Sequence, residues 1–367
     1  MTTKNIKFCV IAFLLLFIFG ACGKDEDDPN PVDDDIIMKY SGSGSEGDLI
    51  TFDINHTTES YTIHNETTGN TDNGNYDVIT SSDLSGIYNV NIGSNTFYAV
   101  ELDDRLIAAN FPTGNPENNI SFGVSASIDN NGNEDNIVGD YIYIVMDNHG
   151  IMNDTAIKEW GLLNIKSDHT WLKQNYASNT GNGTVTEQQP ENFVGNLPIT
   201  TGDESGGWSI NGANKERLNV TIDGASIVLT GYAYATANEA AFLLDLGTGN
   251  GFLIGLKITN NSSFSSIAGD YKFVNVWDNG FGAGNYSVTN TGMVSWVHNG
   301  SEGNTSGNFQ LTQCANSIKN VYYCNSVDLG NNYFEKLYCV IIGDIIVHFG
   351  FDNANGDFAQ YGIGARL

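Results

Sequence analysis

Residues 37 to 367 are predicted to form an all-β chain of tandem antiparallel β-sandwich or small β-barrel units, and three observations carry that expectation. Stretches such as "KERLNVTIDGASIVLTGYAYA" (215–235) and "EKLYCVIIGDIIVHFGFD" (335–352) are rich in Val, Ile, Thr, Tyr and Phe and alternate in parts at period two. The chain holds 42 glycines and only 6 prolines, which suits many tight turns. Two segments, "IVGDYIYIVMDNHG" (137–150) and "IAGDYKFVNVWDNG" (267–280), share an I-x-G-D-Y opening 130 residues apart, a domain-sized repeat.

The first 21 residues stand outside that fold. Lys4 and Lys7 precede the apolar run "FCVIAFLLLFIFGA", about 14 residues long, which fits a secretory signal better than a membrane span of about 20. Cys22, preceded by Gly20 and Ala21, resembles the lipobox of bacterial lipoproteins, with Phe19 in place of the usual Leu. The resemblance implies cleavage before Cys22, lipid attachment there and anchorage in the outer membrane. "GKDEDD" (23–28) resembles the acidic export tag of Bacteroidota surface lipoproteins, which implies that Lys24, Asp25, Glu26, Asp27 and Asp28 direct display on the cell exterior. Residues 22–36 lack apolar periodicity and carry Pro29 and Pro31, so they read as a flexible arm.

Three β units of about six to eight strands each are expected after the arm. Residues 37–129 form the first, a weaker copy without the Gly-Asp-Tyr opening or any Trp. Residues 137–260 form the second. Within it, Val220, Ile222, Ile227 and Leu229 flank an Asp223–Gly224 hairpin and are expected to point inward, while "ATANEAAFLLDL" (235–246) reads as either helix or hairpin. Residues 267–367 form the third, and its closing run "QYGIGARL" is similar to "GFLIGLKIT" at the end of the second.

Charge narrows the partners. Forty-three acidic residues against 15 Lys plus Arg give a net charge of -28, which repels phosphate backbones and argues against nucleic acid. Neutral ligands, cations and basic surfaces remain compatible with it. Of the cysteines expected to remain as side chains, Cys314, Cys324 and Cys339, the spacing of Cys314 and Cys324 suits a disulfide closing a short loop.

No pattern of chemistry dominates. The six histidines are scattered, and neither HExxH, GxSxG nor a phosphate-binding loop occurs. Adjacent acids such as Asp103 and Asp104 fit turns, with glycoside hydrolysis as the catalytic alternative. No cofactor is expected apart from calcium, for which Asp129, Asn131, Asn133 and Asp135 place oxygens at alternate positions. Among the tryptophans, Trp277 and Trp296 neighbour Asn-containing turns and are the candidates for stacking on a sugar ring. "DTA" (154–156) resembles an O-glycosylation site of exported Bacteroidota proteins, making Thr155 the acceptor. The expected function is binding of a glycan or other extracellular polymer; the alternative is an adhesin or structural subunit beside an outer-membrane protein.

Overall fold

The computed structural model describes residues 37–367 apart from 45–46, 82–83, 93–94, 103–104, 111–120, 126–133, 147–156, 179–201, 212–216, 237–238, 248–250, 278–279, 301–302, 315–318, 330–333 and 354–357. Cys22, the tag residues Lys24 to Asp28, Thr155, Asp103, Asp104 and the calcium candidates Asp129, Asn131 and Asn133 lie outside the described residues.

Three antiparallel meanders account for the strands. The first is a closed barrel of β1 (Ile37–Gly44), β2 (Leu49–Asn55), β3 (Ser60–Asn65), β4 (Thr71–Val78), β5 (Ile87–Ile92), β6 (Asn95–Leu102), β7 (Leu106–Ala109) and β8 (Ser121–Val124). The second is a closed barrel of β9 (Gly139–Met146), β10 (Ile157–Ile165), β11 (Thr170–Ser178), β12 (Glu204–Asn211), β13 (Arg217–Ile222), β14 (Val228–Ala235), β15 (Ala240–Asp245) and β16 (Phe252–Lys257). The third comprises β17 (Gly269–Trp277), β18 (Gly280–Val288), β19 (Met293–Gly300), β20 (Gly303–Gln310), β21 (Thr312–Gln313), β22 (Val321–Asp328), β23 (Phe334–Ile342), β24 (Ile345–Asp352) and β25 (Phe358–Arg366). In it β17 pairs with β25, as first and last strands pair in the barrels, but β20 and β21 form the two edges of the ladder.

Alternation assigns the faces. In β9, Tyr141, Tyr143 and Val145 point into the second barrel, while Ile142, Ile144 and Met146 pack outward with residues of the other two sheets. Both faces are buried, which is why this stretch reads as a nearly unbroken apolar run. Three interior cores result, one per meander, plus a shared core where their outer faces meet. Polar contacts fasten that junction. Arg105 of the first barrel pairs with Glu239 of the second and Asp344 of the third sheet, and Asn110 donates to the Gly282 carbonyl at 2.9 Å.

The repeated I-x-G-D-Y opening has a common physical role. A one-turn 3-10 helix (Glu134–Asn136) leads to buried Ile137, and α1 (Phe264–Ile267) ends on buried Ile267; each isoleucine joins the interior core of its own sheet. The Tyr141 hydroxyl donates to the Ile137 carbonyl, and Tyr271 donates to that of Ile267 at 2.9 Å. The glycines between sit at φ +150° and +151°, a region L side chains rarely adopt. A Cβ on Gly139 would lie 2.8 Å from Lys257 Cε, and one on Gly269 2.6 Å from Arg366 Cδ. Those cations come from the closing strands: Lys257 donates to the Asn136 carbonyl, and Arg366 to those of Ser266 and Ala268.

Local details refine the sequence reading. Within the 235–246 window, Ala235 ends β14 and Ala240–Asp245 form β15, with Ala235 facing Ala240 across the hairpin. Ile227 is a correction: the chain leaves the ladder after Ile222 and rejoins it at Val228, so Ile227 sits in the connecting loop and is 59% exposed. The Cys314–Cys324 disulfide is a second correction. Cys314 packs into the shared core and Cys324 against the interior core, so the two thiols occupy opposite faces of the sheet.

Candidate functional site

The second barrel holds a cavity of about 260 Å³ that is partly open to solvent. Its wall is mostly apolar, formed by side chains that include Trp171, Trp208, Leu218, Phe242, Leu244 and Leu253. Each arrives by period-two alternation from a strand of the closed ladder, so the lining is fixed by register rather than by loops. The two indoles are held by backbone acceptors: Trp171 Nε1 donates to the Thr221 carbonyl and Trp208 Nε1 to that of Lys166, both at 3.0 Å. Gly206, opposite Trp171 in the ladder, leaves room for that ring, since a Cβ there would lie 2.7 Å from Nε1.

Charge is confined to one part of the wall. Lys173 Nζ lies 2.7 Å from Glu159 Oε1 and 2.8 Å from Glu204 Oε2. Side-chain exposure rises from 10% at Lys173 through 20% at Glu159 to 43% at Glu204, so the cluster runs from the cavity out to solvent. Glu159 lies between two shifts of register, one against β9 and one against β11, and such bulges re-aim side chains. Tyr143 donates to Glu159, and Lys173 also sits 5.4 Å from the Tyr143 ring centre. Burial pushes the Tyr143 hydroxyl well above its ordinary value, and the neighbouring Glu159 and Glu204 carboxylates add to the rise. It therefore stays a neutral donor.

The third sheet has a polar interior of a different kind. His298 Nε2 contacts Asn275 Oδ1 at 2.9 Å, Asn275 donates to Gln360 at 2.8 Å, and Gln360 donates to Glu335 at 2.7 Å. Burial lowers His298 to about 4. Burial, aided by the nearby His298, lowers His348 to about 3. Neither ring nitrogen of His348 has a hydrogen-bond partner among the described residues. These residues fill the interior rather than line an opening.

Trp296 is a further correction to the sequence-derived site. It is 5% exposed and belongs to the third interior core, because alternation along β19 turns Val294 and Trp296 inward despite the neighbouring Asn and Gly residues. Trp277 is half-buried at the end of β17, 5.3 Å from the His298 ring. Trp171 and Trp208 line the cavity of the second barrel. Asp135, the calcium candidate within the described residues, lies in the Glu134–Asn136 turn, and no group of three His, Cys, Asp or Glu suited to a metal occurs among the described residues.

The charged cluster was missed in the sequence because isolated charges in a strand read as solvent-facing. Its signal was parity: Lys173 shares the inward phase of Trp171, and Glu159 that of Leu163 and Ile165.

No family model matches the chain, and no curated protein matches it. Among solved structures it is similar to intact Ap-TbpB with its N and C lobes, at 9% identity and a TM-score of 0.26, over 90% of this chain and 77% of that one. A mutant of transferrin binding protein B from Haemophilus parasuis gives 10% identity and 0.24, over 90% and 76%. A Bacteroides fragilis protein named for the outer membrane gives 11% and 0.20, over 63% and 98%. The all-β architecture rests on the ladders themselves.

Proposed function

We propose that the protein is an outer-membrane lipoprotein facing the cell exterior that binds a small apolar molecule inside its second barrel, without catalysis. The observation that carries the binding reading is the 260 Å³ cavity lined largely by Leu, Phe and Trp within a closed eight-stranded ladder. Barrels of eight strands are wide enough to hold one small ligand when side chains leave the interior unfilled. A dry apolar cavity of ~150 Å³ already takes a benzene-sized guest, so this one suits a ring or short chain. The address rests on the Gly20-Ala21-Cys22 lipobox resemblance and the Lys24–Asp28 tag.

Titration of the full chain with decanol, followed by Trp fluorescence, tests the binding. Saturable quenching is expected, and its loss in Leu244→Trp, which fills the cavity, locates the site. Absence of saturation, or unchanged quenching in that variant, overturns the reading. Protease shaving of intact cells with and without Cys22→Ser tests anchor and exposure together.

A second reading, binding of an extracellular glycan, is favoured by Trp277, whose half-buried ring lies at the end of β17. Retardation in polysaccharide affinity gels that disappears in Trp277→Ala supports it. Unretarded migration across a broad panel removes it.

A further inference from the structure

We infer that the cavity of the second barrel selects amphiphiles with a cationic head, an apolar tail in the barrel and an ammonium group at the Glu159–Lys173–Glu204 cluster. The inference rests on the proposed cavity binding and adds the chemical class of the ligand.

The charges of the cluster do not cancel. One ammonium, Lys173, stands between two carboxylates, Glu159 and Glu204, at 2.7 and 2.8 Å, leaving the cluster one negative charge in excess. Glu159 and Lys173 are largely withdrawn from water, so the excess is weakly screened. A carboxylate head entering there would raise the excess to two, and Lys173, already engaged with both glutamates, has no second cation beside it in the cavity wall among the described residues. An ammonium head would cancel the excess and find acceptors on Glu204, whose side chain is the most exposed of the three. Tyr143 does not supply a competing charge, since its hydroxyl is engaged with Glu159.

Geometry places that head and the tail on one path. Lys173 and Trp171 are inward neighbours on β11, and Glu204 faces Lys173 across the ladder while Gly206 faces Trp171. A head at Glu204 therefore has the indole of Trp171 and the apolar wall one step deeper. A neutral alcohol occupies the same wall without the charge term, so it reports the cavity alone.

The test compares decylamine, decanol and decanoate below their aggregation limits by isothermal titration against the full chain, at one ionic strength. Decylamine is expected to bind about tenfold or more tighter than decanoate, with decanol between. In Glu204→Gln the preference for amine over carboxylate should shrink severalfold. Equal affinities in the wild type, or tighter decanoate, overturn the head-group inference and leave the cavity reading standing. A preference that persists in full in Glu204→Gln also overturns it, assigning selectivity to the overall negative charge of the chain. Failure of all three probes to bind overturns the cavity reading itself. Glu204 is exposed enough for the variant to fold, and the wild-type comparison decides the inference independently of any variant.

Discussion

Arg105 Nη1 lies 3.0 Å from Asp344 Oδ2, joining the first barrel to the third sheet, and 3.1 Å from Glu239 of the second barrel. Burial opposes ionisation of Asp344, but hydrogen bonds from Arg366 and Arg105 outweigh it and hold its carboxyl below the usual range. Burial raises the Glu239 carboxyl, the nearby Asp344 adds to the rise, and Arg105 offsets it in part. Arg105→Met should therefore cost about 1–3 kcal/mol in guanidinium unfolding, less than a fully buried pair because all three side chains keep some exposure. Adding Glu239→Gln should recover part of that loss.

The buried histidines predict an acid-sensitive third sheet. An unfolded histidine takes its proton near pH 6.5, whereas His298 and His348 resist until about 4 and 3. Between those limits the unfolded chain binds more protons, so stability falls as pH drops below about 6.5; above it both states are neutral and the term vanishes. Between about pH 7 and about pH 4.5 the fall should be on the order of 2–3 kcal/mol per histidine. Unfolding compared at about pH 7 and about pH 4.5 should show His348→Leu both more stable, since it removes an unpartnered buried imidazole, and less sensitive to acid.

Gly139→Ala and Gly269→Ala should each lower stability by roughly 1–3 kcal/mol, because left-handed backbone and a close cation stem coincide there. Gly224→Ala provides the control. Its φ of +82° is strained too, but open space surrounds the added methyl, so the loss should be smaller in thermal denaturation.

Thiol chemistry should separate the cysteines. Burial pushes the Cys339 thiol far above its ordinary value, so it should not react with an aromatic disulfide reagent in the native state, while half-buried Cys324 should. Non-reducing peptide mapping should find no Cys314–Cys324 link. Such a link would contradict the placement of the two thiols on opposite faces.

Strand content was legible because its signals are local. β-branched and aromatic alternation, Asp-Gly and Gly-Asp turns and the scarcity of proline all act within a few residues of the ladders they produce. The I-x-G-D-Y motif was legible as a repeat, but its purpose was not, since Tyr141 acts on Ile137 only after the preceding turn folds back and Lys257 arrives from 116 residues onward. The charged cluster was least visible. Glu159, Lys173 and Glu204 come from three strands, and although each shares the inward phase of its strand, only the closed ladder brings the three together. Ile227 and Trp296 failed in opposite directions for one reason: the ladder's extent, not the neighbouring turn residues, decides which side chains alternate inward.

The open seam between β20 and β21 has a consequence for how the protein tolerates crowding. Two closed meanders leave no ladder for a foreign strand to extend, whereas β20 ends the third one with "GNTSGNFQ". Glycine, Asn, Ser and Thr give an intruding strand little apolar surface to cover and much backbone freedom to forfeit. The molecule thus presents the longer of the two open edges of its third sheet, among the described residues, in a composition that discourages neighbours from zipping onto it.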